Sequence, residues 1–89
     1  MFEPNGEYVL RKINDSYFLM SAGKCINKKW LYKINETGAK IWENCGVCNC
    51  IQEIVICLEK IYNRKFSKIE EQETKAYIKL LITERLIKV

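Results

Sequence analysis

Three cysteines stand close enough along the chain to share a ligand: Cys45, Cys48 and Cys50, in the order Cys-x-x-Cys-x-Cys. Thiolates so spaced suit a tetrahedral zinc ion or an iron–sulfur cluster, either of which wants four ligands. The chain has no histidine, so the fourth would have to be Cys25 or Cys57. Cys57 falls about two helical turns beyond Cys50, out of easy reach. The preferred reading is a set of reduced thiols in a cytoplasmic protein, with a Cys45–Cys50 disulfide less favoured than either, and no cofactor is expected. The missing histidine also removes the commonest general base, the serine and cysteine triads and most catalytic zinc sites. Asp15 is the sole aspartate and falls in a turn. Glu, Lys, Tyr and Cys alone would have to carry any catalysis, and no catalytic residue is assigned.

The elements that would position such groups follow from periodicity. Residues 8–13 (YVLRKI) and 17–21 (YFLMS) are β-prone runs joined through Asn14 and Asp15, which tolerate positive φ and suit a tight hairpin. A looser connection from Ser21 to Asn27 leads to a third strand over 28–34. Its alternation places Trp30, Tyr32 and Ile34 on one face and Lys29, Leu31 and Lys33 on the other. Asn35 is a good cap for a first helix carrying Gly38, Ile41, Trp42 and Cys45 at helical spacing. Asn49 with Gln52 suggests the cap of a second helix, with Ile51, Ile54, Val55, Leu58 and Tyr62 as its apolar stripe. Ser67 with Glu70 repeats the pattern for a third helix, whose buried face is read as Thr74, Tyr77, Ile78 and Leu81. The order is three strands, then three helices, which implies an α+β domain whose sheet has one face covered and two edges.

Bulk properties narrow the class. Eighty-nine residues make one domain spanning 1–89, and 48% hydrophobic with 29% charged residues is the balance of a folding globule. The longest apolar run, Ile54 to Leu58, is far short of the roughly 20 residues of a membrane span. MFEPNGE at the start lacks the apolar stretch of a secretory signal, so no membrane partner is expected and the location is read as cytoplasmic. A net charge of +4 is mild for this size and names no nucleic-acid partner.

The runs YVLRKI, YFLM, LYKINETGAKIWE, IQEIVICLEKIY and ETKAYIKLLITERLI resemble the PqqD-like family, the RiPP recognition elements, over roughly residues 7–88. The most specific piece is Asn35-Glu36-Thr37-Gly38-Ala39 followed by Ile41 and Trp42. The resemblance implies a winged-helix-like fold of three antiparallel strands followed by three helices, without catalysis. It implies that the leader of a ribosomally made precursor peptide is bound as an added strand beside the third strand, in the cleft with the third helix. The peptide would then reach a modifying enzyme: a radical SAM maturase, a cyclodehydratase or a leader peptidase. Carried onto this chain, the peptide-binding residues would be Lys29, Trp30, Leu31, Tyr32 and Lys33 on the strand, with Thr74, Tyr77, Ile78 and Leu81 on the helix. Main-chain bonds of this kind are indifferent to sequence, and side-chain pockets select. Of Leu31 and Lys33, one is expected to turn its N–H outward, where proline would remove a donor from the edge. Lys24, Lys28, Lys29 and Lys33, with no acid among residues 16–35, would favour an acidic leader or guard the edge against aggregation.

Three positions depart from the family. The turn between the first two helices reads Asn44-Cys45-Gly46-Val47-Cys48-Asn49-Cys50, which moves the cap to Asn49. Arg85 replaces a frequent glycine, so the last helix is expected to run on past it. Thr74 stands where an aliphatic residue is commoner. Two rival readings accompany the leader-binding one: a winged-helix DNA-binding regulator and a small cysteine-cluster metal-binding protein. The first fits poorly with Glu70-Glu71-Gln72-Glu73 opening the third helix, where a recognition helix would present bases, amides or guanidinium groups to DNA.

Overall fold

The computed structural model describes residues 1–21 and 31–89. Strands β1 (Glu3–Pro4), β2 (Tyr8–Ile13), β3 (Ser16–Ser21) and β4 (Leu31–Ile34) precede helices α1 (Glu36–Asn44), α2 (Ile51–Tyr62) and α3 (Lys68–Thr83), and β5 (Ile87–Lys88) closes the chain. A single 3₁₀ turn, Cys45–Val47, follows α1. β2, β3 and β4 form an antiparallel sheet in that order. The α+β architecture is therefore the expected one.

The hairpin forms as its turn residues dictate. Asn14 and Asp15 both have positive φ, 49° and 67°, the conformation that matches the twist of the flanking strands. Tyr8, Leu10, Leu19, Tyr32 and Ile34 share the sheet face toward the helices, because Leu10 pairs with Leu19, and Leu19 with Tyr32. Leu19 and Ile34 join Ile41, Ile54, Leu58, Ile78 and Leu81 in the core. Burial of such side chains contributes about 1.5–3 kcal/mol each.

Helix ends show where local chemistry decides. Asn35 caps α1 through its side-chain oxygen, which accepts from the Gly38 N–H at 2.7 Å. Ser67 and Glu70 form a reciprocal capping box on α3. The cap expected at Asn49 is not found. Cys50 is the cap residue of α2 and makes no side-chain bond, while the Asn49 N–H donates to Glu53 Oε1 at 2.6 Å. The carboxylate at Glu53 folds back over the helix start and replaces the amide cap.

The expectation that α3 runs past Arg85 is also corrected. The helix stops at Thr83, and Arg85 adopts φ 61°. The Leu86 N–H donates to the Leu81 carbonyl and the Arg85 N–H to the Ile82 carbonyl, both at 3.0 Å, the bonds of a Schellman ending. Two forces hold a non-glycine residue there. Leu86 and Ile87 must turn back to become buried, each 1% exposed, and Asn5 Nδ2 donates to the Arg85 carbonyl at 2.7 Å.

Asn5 belongs to a feature the sequence pattern does not reveal. β1 and β5 pair antiparallel, Glu3 with Lys88 and Pro4 with Ile87. Phe2 is buried beneath them and its N–H donates to the Cys48 carbonyl. Trp42 Nε1 donates to the Leu86 carbonyl at 2.8 Å, so this ribbon is tied to α1.

Candidate functional site

The three-stranded sheet has two edges, and the hairpin register tells which backbone groups each presents. Ile13 and Ser16 flank the two-residue turn, so they are the close, doubly hydrogen-bonded pair. Counting by twos, Val9 and Arg11 also bond toward β3, while Tyr8, Leu10 and Lys12 point outward from β2. On the other side Tyr17 and Leu19 bond toward Ile34 and Tyr32. Leu31, Lys33 and Asn35 therefore turn their N–H and carbonyl groups away from the sheet.

That result corrects the expectation that only one of Leu31 and Lys33 faces outward. Residues two apart on a strand share a direction, so both do.

The edges are not equivalent. At β2 the Tyr8 N–H donates to the Asn5 carbonyl at 3.1 Å, and Arg11 Nη1 covers the Leu10 carbonyl at 3.0 Å. The Lys12 ammonium lies 5.6 Å from the centroid of the Tyr17 ring. This edge is guarded. At β4 no strand pairs with the outward groups of Leu31 and Lys33 among the described residues. The row ends at Asn35, where the chain turns into α1 and the Asn35 side chain caps that helix.

α3 runs antiparallel beside this edge. Tyr32 donates from its hydroxyl to Glu84 Oε2 at 3.3 Å, and Asn35 and Tyr77 line one cavity. Three strand residues and seven helical residues both span roughly 10 Å, so the two juxtapositions are mutually consistent. Tyr32 also packs edge-to-face on Tyr8, with centroids 5.9 Å apart. Burial, then the neighbouring Tyr8 and Glu84, raise the Tyr32 phenol above its usual range. Burial raises Tyr77 as well, opposed by the Asn35 N–H. Both tyrosines are held neutral, as hydrogen-bonding and stacking groups.

Gly38 makes the lower contact possible. A Cβ there would overlap the Tyr77 hydroxyl and ring, so the glycine of the Asn-Glu-Thr-Gly-Ala stretch lets Tyr77 dock on the first turn of α1.

The residues expected to bind peptide divide into three groups. Lys29 and Trp30 lie outside the described residues, as do Lys24, Lys28 and Cys25. Leu31, Tyr32, Lys33 and Tyr77 reach the surface at the β4 edge, with Leu31 and Lys33 directing their side chains to the sheet face opposite the helices. Thr74, Ile78 and Leu81 are buried, Ile78 completely, and form the floor and core beneath the cleft.

Sequence reasoning missed a cavity at the lower end of this cleft. It measures about 350 Å³ and lies where the start of α1, the end of α2 and the start of α3 meet, with Tyr62, Phe66 and Tyr77 among its walls. Arg64 forms a bidentate pair with Glu70, at 3.0 and 2.6 Å, and stacks over Phe66 at 5.0 Å. The hydrogen bonds from Arg64, and then the Ser67 N–H, hold the Glu70 carboxyl down to about 2. The spacing of Glu73 and Tyr77, four apart on one face of α3, was the available signal.

The cysteine cluster is built into the packing. Cys45 and Cys48 are buried and Cys50 is exposed. The Cys45 thiol faces the Trp42 carbonyl at 3.4 Å and the Cys48 thiol the Asn44 carbonyl at 3.7 Å. Burial, reinforced by Cys48, pushes the Cys45 thiol up to about 11, so it is a protonated donor. Among the described residues no three metal-ligating side chains converge, and no helix is long and apolar enough to cross a membrane.

Compared with known proteins, the sequence matches no family model and no curated protein. Among solved structures it is similar to TbiB1 in complex with the TbiA(beta) leader peptide. The TM-score is 0.65 over 97% of this chain and 94% of that one, at 15% identity. The two chains share a fold.

Proposed function

We propose that this chain is a non-catalytic leader-binding domain of the PqqD-like kind, a RiPP recognition element. It takes the leader of a ribosomally made precursor as a strand added to β4, in the cleft with α3. The bound peptide is then presented to a modifying enzyme, for which a radical SAM maturase, a cyclodehydratase or a leader peptidase are the candidates. The observation that carries this reading is the asymmetry of the two sheet edges. β2 is closed by Arg11 and Asn5, whereas β4 turns the backbone groups of Leu31 and Lys33 outward beside a helix with no strand paired to them among the described residues. An edge of that kind takes an extended peptide by strand addition. The shared fold with TbiB1, a structure holding a leader peptide, supports the same reading, as does the acidic opening of α3, which is unsuited to DNA.

Leu31→Pro and Lys33→Pro test it. Each removes an outward N–H without touching a bond to β3, so each is expected to abolish binding while leaving the fold intact. The ligand is the leader of a precursor encoded beside the gene, read by fluorescence polarisation. Unchanged affinity in both variants would mean that strand addition at this edge is wrong. Tyr77→Ala is expected to weaken binding as well, with a melting curve to show that the core survives.

A further inference from the structure

The cavity beside Tyr77 has a chemistry that main-chain pairing does not use. Four charged groups line it: Glu36, Glu70 and Glu73 against Arg64. Arg64 is spent on Glu70, and neither Glu36 nor Glu73 meets a cation among the described residues. The carboxylates do not converge as metal ligands. Tyr62, Phe66 and Tyr77 supply an aromatic part of the wall, beside Asn35, Thr37 and Thr74. A net negative, ring-walled cavity is complementary to an organic cation, which gains from carboxylate and ring face together.

Thr74 supplies an independent observation. It is 9% exposed and lines the same cavity. Thr83, on the same helix, returns its hydroxyl to the Lys79 carbonyl, but Thr74 makes no such bond among the described residues. Among the described residues no fully buried polar side-chain atom lacks a partner, so the Thr74 hydroxyl keeps contact with open space, and the space beside it is the cavity.

Position links the cavity to the edge. The outward row of β4 ends at Asn35, and Asn35 lines the cavity together with Tyr77. A strand paired at Leu31 and Lys33 that continues past Lys33 arrives over the cavity mouth within about two residues.

We infer that this cavity is a selectivity pocket for one cationic side chain, lysine or arginine, of the strand added at β4. The inference rests on the strand-addition reading and adds to it the chemical class of one ligand residue. It also sets the polarity along the cleft: a base of the leader lies at the α1 end of β4.

The test uses a bead-bound library of 12-residue peptides, randomised at every position and captured by the purified wild-type chain, with the captured sequences read out. Lysine and arginine are expected to be enriched at one register position by about tenfold over glutamine, a difference of roughly 1.4 kcal/mol. Glu73→Gln is expected to capture peptides still but to lose that enrichment. Leu31→Pro is expected to capture none. Captured peptides without a basic position, or an enrichment that survives Glu36→Gln with Glu73→Gln, would overturn the pocket and leave strand addition standing. Capture undiminished by Leu31→Pro and Lys33→Pro would overturn strand addition and with it the inference. A second probe needs no strand. N-acetyl-arginine methylamide is expected to shift the amide resonances of Thr74 and Tyr77 where its citrulline counterpart does not, and equal shifts from both would also overturn the pocket.

Discussion

Gly38 is the residue on which the cleft depends most directly. It is buried in the first turn of α1 with the Tyr77 hydroxyl where its Cβ would be. Gly38→Ala gains about 1 kcal/mol of helix propensity. It must also push the Tyr77 ring off the first turn of α1, and overpacking of this kind typically costs about 1–3 kcal/mol. The expected outcome is a net loss of stability together with a changed Tyr77 environment, seen as a lower denaturation midpoint and altered tyrosine fluorescence. A variant as stable as wild type with an unchanged spectrum would show that the contact is not close. The same residue shows how much of the site could be read in advance. A glycine and a capping asparagine at a strand-to-helix junction are visible as letters. That the glycine exists to seat a tyrosine 39 positions later is a tertiary fact without local signal.

Among the elements, α3 carries two predictions, one at each end. At its end Arg85 occupies a left-handed conformation that costs a non-glycine residue about 1–2 kcal/mol. Arg85→Gly removes that strain against some added freedom of the unfolded chain. A net gain of about 0.5–1 kcal/mol is expected, and 1 kcal/mol raises the melting temperature of a domain this size by roughly 4–8 °C. An unchanged or lowered melting temperature would show that the arginine side chain contributes more than its backbone costs. At its start Glu70 is held to about 2 by Arg64 and the Ser67 N–H. A carboxyl lowered in the folded state stabilises above its ordinary value and loses that contribution as pH falls through its folded one. The α2–α3 junction is therefore expected to hold from pH 7 to about 4 and to loosen between about 4 and 2. Amide exchange at residues 67–71 would report it, and Glu70→Gln should lack the step.

The same comparison explains which elements were legible. Strands and helices with alternating or 3.6-residue patterns, and caps made by Asn35 and Ser67, announce themselves locally. The Cys50 start of α2 does not, because its N-terminal bond comes from Glu53. Arg85 reads as helix because its left-handed turn is imposed by Asn5, eighty positions away. The guarded and open edges cannot be told apart from composition either, since Arg11 and Lys33 look alike until the register assigns them.

At the scale of the molecule, both termini are sewn to one another and to α1. Asn5 is 1% exposed and satisfies three groups at once. Its amide nitrogen donates to Arg85, its side-chain oxygen accepts from the Glu7 N–H at 2.9 Å, and its own N–H donates to Leu86. Asn5→Ala takes a donor from the Arg85 carbonyl and an acceptor from the Glu7 N–H, both in part-buried bonds, and a polar group left unsatisfied on burial costs about 1–3 kcal/mol. It is expected to lower the unfolding free energy by several kcal/mol and to free the β1–β5 ribbon without disturbing β4. Urea unfolding would measure the first and peptide binding the second. A loss below 1 kcal/mol would mean that water replaces the asparagine.

The turn of the chain from β4 into α1 at Asn35 has a consequence in time. With the row ended there, an added strand has outward partners only at Leu31 and Lys33 among the described residues, and a main-chain bond contributes a net of about 0.5–1.5 kcal/mol. A ladder confined to that row would hold a peptide in register but not for long. Residence would then be governed by side chains, and on the proposed reading a domain that hands its cargo to another protein and loads again would be helped by a grip that lets go.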